Sequence, residues 1–172
     1  MTAFTIPTLV TERLVLRPYL RSDFPTYAAF LATERSKFMG GPYSEREAWG
    51  WFTTDTIGWQ LNGFGTLAIE VDGQLAGYAG LIHPPSFPEP ECGWTLYDGF
   101  TGQGFATEAG RAMLDHTFAT TDLKSIVSYT HPENYGSHRV AERLGGVHDP
   151  DAPTCNNEPD RVYRHFPKGA AA

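Results

Sequence analysis

A glycine-rich stretch between a strand-like segment and a helix-like segment constrains this chain most. Residues 93–98 read GWTLYD, residues 105–118 read FATEAGRAMLDHTF, and glycines stand between them at positions 99, 102 and 104. The first turn of a helix leaves backbone N–H groups unpaired and carries partial positive charge, so a bare turn leading into it can hold a phosphate group without any basic side chain. The pattern therefore predicts an anion site, and a turn that is merely tight is the alternative.

Two familiar phosphate-binding loops do not match this stretch. The chain contains no G-x-x-x-x-G-K-[ST] motif, which argues against nucleoside triphosphate chemistry. A dinucleotide fingerprint needs a third glycine where Thr107 stands, and it needs an acidic residue after the next strand, whereas Asp122 precedes that strand. A dinucleotide-binding oxidoreductase is therefore disfavoured, although it stays as a rival function.

Length, hydropathy and charge limit the possible classes of protein. A chain of 172 residues, 41% of them hydrophobic, predicts one domain over residues 1–172, with residues 167–172 as a flexible tail. No apolar run approaches the roughly 18 residues that span a bilayer, and the start lacks a secretory pattern, so we expect a cytoplasmic protein without a membrane partner. The net charge of −7 argues against a nucleic-acid binder.

Cysteine and histidine patterns indicate neither redox nor metal chemistry. Cys92 and Cys155 form no C-x-x-C motif and are expected to be free thiols. The six histidines include no H-E-x-x-H, and the acidic segment 149–160 lacks the spacing of a calcium loop. No metal site is predicted.

The pattern of apolar residues predicts a mixed α/β domain around one sheet. We expect a strand at RLVLR, a helix within residues 21–38 capped by Ser22 or Asp23, and a second helix opened by the capping box of Ser44 and Glu47. Asp72-Gly73 predicts a hairpin. Strand, helix, strand, helix and strand follow, with the last helix, ENYGSHRVAERLGG, closed by glycine and the last strand at RVYRHF.

Four segments in order resemble one protein family. TGQGFATEA, at residues 101–109, is similar to the coenzyme loop of the GNAT superfamily of N-acetyltransferases, and most similar to its RimJ/RimL-like branch. ECGWTLYDGF, PENYGSHRVAERLGG and the early ERLVLRPYLRSD resemble other motifs of that branch. Three positions depart from the wider family's pattern: Thr101 stands for Gln or Arg, Ala141 for a tyrosine, and Gly146 for a phenylalanine.

The resemblance implies a fold, a cofactor and an activity. It implies a single mixed, mostly antiparallel, seven-stranded sheet that is flanked by helices and splayed at its centre, between the fourth and fifth strands. Acetyl-coenzyme A lies in the wedge as co-substrate, and its acetyl group passes to a primary amine by direct attack in a ternary complex. The acceptor is a protein N-terminus or a small-molecule amine.

The resemblance also implies which residues contact the coenzyme. Backbone amides of residues 102–107 would hold the pyrophosphate, namely Gly102, Gln103, Gly104, Phe105, Ala106 and Thr107. The strand at Leu96 and Tyr97 would pair with the pantetheine arm, and the Leu96 N–H would polarise the thioester carbonyl. Asn134 and Ser137 would meet the pantetheine and thioester end, and Arg139 and Arg143 would reach the phosphates, although exposed helix arginines are more often merely solvated.

The catalytic assignments rest on the same resemblance. Glu91 would be the general base, acting through a water, since an amine must be neutral to attack. His83 is the alternative base, because a free histidine titrates near neutrality. Ser137 would protonate the departing thiolate where relatives use the tyrosine replaced by Ala141, and a water or direct release of the thiolate are the alternatives.

Two questions stay open from the sequence. Ala141 leaves a second hypothesis, a noncatalytic module that binds or senses coenzyme A. Trp51 and Phe52 are expected to anchor the apolar face of the second helix, and Trp49, Trp51 and Trp59 belong either to the core or to an acceptor groove. The same segment would serve a homodimer as well as a monomer.

Overall fold

A computed structural model of the protein describes residues 5–155 and 159–169. Over these residues the chain forms one sheet of eight strands in the order β1-β2-β3-β4-β5-β6-β8-β7. The strands are β1 Leu9–Val10, β2 Val15–Arg17, β3 Thr66–Val71, β4 Gln74–Ile82, β5 Glu91–Leu96, β6 Ile126–Thr130, β7 Val147–His148 and β8 Arg161–His165. The neighbouring strands pair antiparallel except β5 and β6, which are parallel.

The mixed, mostly antiparallel sheet confirms the predicted fold class, but the predicted count of seven strands is one too low. The additional strand is β1, whose Leu9 and Val10 pair with Leu16 and Val15 of β2. Two residues are too short to show the alternation by which a strand is recognised in a sequence. The strand β7 is equally short.

In the described part of the chain four α-helices flank the sheet: α1 Phe24–Leu31, α2 Glu45–Asn62, α3 Phe105–Thr120 and α4 Tyr135–Arg143. The capping box predicted for α2 is present, because Ser44 Oγ accepts from the Glu47 amide while the Glu47 carboxylate accepts from the Ser44 amide. The helix expected within residues 21–38 is shorter than that range. It ends at Leu31, and a 3-10 segment follows at Glu34–Met39.

The cap of α1 also differs from the prediction. Asp23 stands at the N-cap position, but its side chain makes no capping bond to the helix. Its carboxylate accepts instead from the Arg17 guanidinium at 2.8 and 3.1 Å and from the Leu20 amide at 2.7 Å. The two parallel bonds from the Arg17 guanidinium add both energy and geometric specificity to the pairing of this carboxylate.

The hairpin between β3 and β4 is confirmed. Asp72 and Gly73 both have positive φ angles, 48° and 76°. These angles belong to the two-residue turn that matches the twist of the adjoining strands.

The sheet opens between β5 and β6. The two strands share a single register pair, Glu91 with Val127. The Ser128 hydroxyl donates to the Cys92 carbonyl at 2.6 Å one residue further on, and beyond that point the strands no longer pair. The predicted splay at the centre of the sheet is therefore present, and it leaves one edge of β5 open.

The tryptophans of α2 divide between the core and the surface. Trp59 is buried, and its indole N–H donates to the Thr66 carbonyl at 2.9 Å. Phe52 is buried in a second apolar cluster with Tyr27, whereas Trp51 is exposed. Phe52 therefore anchors the helix as expected, and the prediction that Trp51 does so is wrong.

The predicted flexible tail is only partly described. Of residues 167–169, Lys168 pairs with Asp115 on α3 at 2.7 Å. Residues 170–172 lie outside the described residues.

Candidate active site

A cleft of about 1030 Å³ occupies the gap between β5 and β6. One end is bounded by the glycine turn and by α4, and the other end by α1, α2 and the 3-10 segment Glu34–Met39. Ten of the residues predicted to bind or catalyse line it: Glu91, Leu96, Gly102, Gly104, Ala106, Thr107, Asn134, Ser137, Arg139 and Arg143.

The glycine turn presents unpaired backbone amides to this cleft. Gly99, Gly102 and Gly104 all adopt positive φ, between 79° and 88°. The first bond of α3 runs from the Glu108 amide to the Gly104 carbonyl, so the amides of the three preceding residues lie in the unpaired first turn. The Thr107 hydroxyl is buried and has no hydrogen-bond partner among residues 5–155 and 159–169. The site is thus rich in donors.

An ion pair that the sequence analysis missed braces this turn. The Glu108 carboxylate accepts from the Thr11 hydroxyl at 2.6 Å, the Arg13 amide at 2.9 Å and the Arg13 Nε at 2.8 Å. Arg13 Nη1 also donates to the Gln103 carbonyl at 2.9 Å, and the guanidinium lies 4.7 Å from the centre of the Phe105 ring. Arg13 and Glu108 both stand in segments that carry the family resemblance. They are 95 positions apart, so the sequence does not show that they are in contact.

Along the open edge of β5, the backbone N–H and C=O groups of the even-numbered residues point into the gap between β5 and β6. The Tyr97 amide donates to the Ala76 carbonyl of β4 at 2.8 Å. Backbone groups alternate in direction along a strand, so the Leu96 N–H points away from β4, toward the cleft. The Leu96 carbonyl, on the same side, accepts from the Arg35 guanidinium at 2.9 Å.

Glu91 lies at the pairing point of β5 and β6 with its side chain partly buried in the cleft. Burial raises the pKa of this carboxyl to about 8, against the effect of a backbone hydrogen bond from Tyr129, and negative charge at Asp160 and Asp55 adds to the rise. A base is most effective when its pKa is near the working pH. The alternative base, His83, is exposed and does not line the cleft.

Asp55 is a second cleft carboxylate, and the sequence analysis did not select it. It lies on α2 with only 6% of its surface exposed, and Oδ2 accepts from the Tyr27 hydroxyl at 3.0 Å. Burial raises the pKa of Asp55 to about 7, although hydrogen bonds from Tyr27 and Thr66 act to lower it. A single aspartate within a helix carries no sequence signal of burial.

The helix α4 supplies the third side of the cleft. The Asn134 side chain caps it by accepting from the Ser137 amide at 3.2 Å. Ser137 is partly buried, and Arg139 and Arg143 are exposed. Ala141 is fully buried and lies outside the cleft lining.

Three predicted coenzyme contacts lie outside the lining: Tyr97, Gln103 and Phe105. The Tyr97 and Phe105 rings are buried in apolar clusters. The Gln103 side chain donates to the Gly99 carbonyl at 3.0 Å. Any contact that these three residues make with a ligand would therefore come from the backbone.

Residues 5–155 and 159–169 contain neither a membrane-spanning helix nor a metal-binding cluster. No helix in these ranges is long and apolar enough to cross a membrane. The same ranges contain no group of three or more His, Cys, Asp or Glu residues that could hold a metal ion.

The family profile described as "Acetyltransferase (GNAT) domain" matches residues 13–147, well over half of the chain. The chain belongs to the GNAT acetyltransferase family. The predicted resemblance to the GNAT superfamily is thereby confirmed. The profile begins at Arg13, so it includes the ion pair that braces the glycine turn of this GNAT domain.

Similar proteins and structures agree with this assignment. The crystal structure of an acetyltransferase from Agrobacterium tumefaciens is 46% identical, with a TM-score of 0.91 over 96% of this chain and 98% of that one. The uncharacterized N-acetyltransferase YnaD of Bacillus subtilis is 34% identical over 143 residues, which are 80% of this chain and 81% of YnaD. RimL, a ribosomal L7/L12 alpha-N-protein acetyltransferase solved with coenzyme A, shares the fold at 20% identity and a TM-score of 0.73, over 94% and 98% of the two chains.

Proposed function

We propose that this GNAT protein transfers the acetyl group of acetyl-coenzyme A to a primary amine by direct attack in a ternary complex. The observation that carries the proposal is the meeting of three features in one cleft. These features are the unpaired amides of the glycine turn, the open edge of β5 and the carboxylate of Glu91.

The donor groups of the cleft fit the coenzyme. The amides of residues 102–107 and the unpartnered Thr107 hydroxyl would hold the pyrophosphate, with Arg139 and Arg143 nearby. The Leu96 edge of β5 would hydrogen-bond the pantetheine arm, and Asn134 and Ser137 would contact its thioester end. When bound, the coenzyme supplies an activated acetyl thioester. The RimL structure with coenzyme A supports this placement by analogy of fold.

The chain's own groups would handle the protons. Glu91 removes a proton from the acceptor ammonium, through a water, so that the nitrogen lone pair can form the new C–N bond. The Leu96 N–H stabilises negative charge on the carbonyl oxygen as the C–S bond breaks. The nitrogen loses its second proton as the amide forms. Ser137, or a water beside it, accepts that proton while giving its own to the thiolate, so the products are an amide, free coenzyme A and the proton on Glu91.

A covalent acetyl-enzyme has little support. The two cysteines that line the cleft, Cys92 on β5 and Cys155, are both buried, and burial raises the pKa of each thiol above the usual value. A protonated thiol is a poor nucleophile. Direct attack by the amine is the simpler route.

A second function is supported by one observation. Ala141 stands where many relatives carry the tyrosine acid, and its side chain is fully buried outside the cleft lining. A noncatalytic module that binds or senses coenzyme A would need only the glycine turn and the β5 edge.

Calorimetric titration and an acetylation assay distinguish these functions. The protein is titrated with acetyl-coenzyme A, coenzyme A and NAD, and thiol release is followed with amines and N-terminal peptides. Saturable coenzyme A binding with thiol release on one amine class supports the enzyme. Binding without release on any amine supports the sensing module. Binding of NAD alone contradicts both.

A further inference from the structure

The end of the cleft away from the glycine turn is acidic and rimmed by aromatic rings. Asp55 and Glu91 face it, and neither has an ion-pair partner among residues 5–155 and 159–169. The rings that share this end are Tyr27, Tyr43, Trp51 and Tyr78. Carboxylates and aromatic faces are the two kinds of group that attract alkylammonium ions in proteins.

The cations that line the cleft do not neutralise these carboxylates. Arg35 pairs with Asp98 and donates to the Leu96 carbonyl, and Lys37 lies over the Phe38 ring at 4.9 Å. Arg139 and Arg143 stand on α4, at the end that holds the glycine turn. At the end of the cleft away from the glycine turn, the negative charge of Asp55 and Glu91 is therefore not balanced by a cation of the described residues.

The two carboxylates stand at separate positions across the sheet. Thr66, which hydrogen-bonds Asp55, is the register partner of Gly80, and Gly80 is the partner of Gly93 on β5. A Cβ atom added at Gly93 would lie 3.9 Å from the Glu91 carboxylate and would otherwise meet open space. Two strand spacings, roughly 10 Å, separate Thr66, which lies beside Asp55, from Gly93, which lies beside Glu91.

We propose that Asp55 is a specificity residue and that the acceptor is an aliphatic diamine. One nitrogen reacts beside Glu91 and Leu96, while the second, as an ammonium ion, is held by Asp55 and the surrounding tyrosine rings. Gly93 leaves room for the hydrocarbon chain between the two ends. This inference rests on the proposed acetyl transfer and adds the class of acceptor to it.

The side chains that surround Asp55 suit it to this role. The Tyr27 hydroxyl and the Thr66 side chain fix the carboxylate, and the Tyr27 and Tyr78 rings lie with centroids 5.2 Å apart. The raised pKa of Asp55, about 7, is what a buried carboxyl without a cation shows, and a bound ammonium would lower it. At pH 8 the group is mostly ionised and ready for a cation.

The test compares matched amines. Rates of thiol release at pH 8 give kcat/KM for a series of diamines with three to six carbons and for the monoamine of equal length. We expect wild-type protein to prefer the best diamine at least about tenfold, beyond the twofold statistical advantage of two amines. In Asp55→Asn the ratio should fall to about two. Equal ratios in the two proteins, or a wild-type ratio near two, would overturn the proposal.

A matched control distinguishes the effect of losing the Asp55 charge from the effect of changing the net charge of the protein. Asp122→Asn removes the same charge from an exposed position outside the cleft, and it should keep the wild-type ratio. Thermal unfolding and coenzyme A titration of Asp55→Asn check that the domain is folded. If coenzyme A fails to bind even to wild-type protein, the proposed function is at fault and the acceptor proposal is tested by binding alone.

The affinity for a diamine that cannot be acetylated provides this test by binding alone. N,N,N′,N′-tetramethyl-1,4-diaminobutane carries two positive charges but cannot form a stable amide. Calorimetry should detect its binding to wild-type protein, weakened about tenfold or more in Asp55→Asn and unchanged in Asp122→Asn. The absence of binding to wild-type protein, or equal affinity in the Asp55→Asn variant, would refute the assignment of Asp55 whatever the enzyme assay gives.

Discussion

The Ser128 hydroxyl lies 3.0 Å from Nε2 of His165 and donates to the Cys92 carbonyl at 2.6 Å. The three residues belong to β6, β8 and β5, and the contact stands next to the last residue pair that joins the two halves of the sheet. The His165 ring also occupies space beside Gly146, where an added Cβ would come within 2.7 Å of the ring. The departure from the family's phenylalanine at position 146 therefore has a packing cause.

Replacing Ser128 should destabilise the junction of the two half-sheets. Ser128→Ala leaves the buried Cys92 carbonyl and His165 Nε2 without this partner, so we expect a loss of about 1–3 kcal/mol in the free energy of unfolding. Urea denaturation measures it. Ser86→Ala, in an exposed loop, should change the value by less than about 0.5 kcal/mol. Equal values for the two variants would mean that the hydroxyl contributes little.

His165 should make stability depend on pH. Burial, and secondarily the positive charge of Arg111, lowers the pKa of His165 from 6.5 to about 4. The unfolded chain then binds more protons between these values, so stability falls as pH falls through this window. We expect a loss of about 2 kcal/mol between pH 7 and pH 5 that is absent in His165→Gln.

The difference between the two proteins isolates this effect. Asp55 and Glu91 have raised pKa values, so their contribution is greatest at low pH and is lost as pH rises toward 7 and 8. They titrate in both proteins, and their effect cancels in the comparison. Parallel stability curves for wild type and His165→Gln would show that the histidine does not remain neutral in the folded state.

Local sequence signals predicted most of the fold. The turn at Asp72-Gly73 and the capping box at Ser44 depend on neighbours two or three positions away, and both are present. The failures have nonlocal causes. The Asp23 carboxylate binds Arg17 instead of capping its helix, and Trp51 lines the cleft while Phe52 and Trp59 lie in the two buried apolar clusters.

The candidate site was predictable where a continuous motif carries it. Residues 101–109 indicate both the turn and its unpaired amides. Asp55 and the pair of Arg13 with Glu108 depend instead on distant segments meeting, so no spacing reveals them. The burial of Asp55 follows from the tyrosines that surround it, and these come from α1 and β4.

Removing the brace of the glycine turn should weaken coenzyme binding. Burial acts to raise the pKa of Glu108, but hydrogen bonds from Thr11 and Arg13 outweigh it and lower the pKa, so the group is an anion that holds Arg13 in place. Glu108→Gln should raise the Kd for coenzyme A about tenfold, as measured by calorimetry. Glu45→Gln, on the exposed face of α2, is the control. An unchanged Kd would show that the turn is rigid without Glu108.

The backbone conformation of Gly104 should matter for the same affinity. Its φ of 85° strains any residue with a Cβ, at a cost of about 1–2 kcal/mol. Gly104→Ala should therefore reduce stability. It should also raise the Kd for coenzyme A, because the backbone of the glycine turn shifts to relieve the strain. Gly63→Ala carries similar strain at φ 76° at the end of α2, with no atom near the added Cβ. It should reduce stability alone, and a matching rise in Kd would contradict a local role for Gly104.

Glu91→Gln provides the sharpest test of the chemistry. The substitution keeps the size of the side chain and removes the base, so kcat/KM should fall about 100-fold while the Kd for coenzyme A stays the same. Wild-type activity should rise with pH as Glu91 loses its proton near pH 8. This rising limb of the pH–activity profile should disappear in the variant. A limb that both proteins share belongs to the acceptor amine. Glu133→Gln, exposed beside α4, should behave as wild type. If Glu91→Gln keeps both the rate and the limb, another group or the solvent removes the proton, and the raised pKa of Glu91 reflects its burial alone.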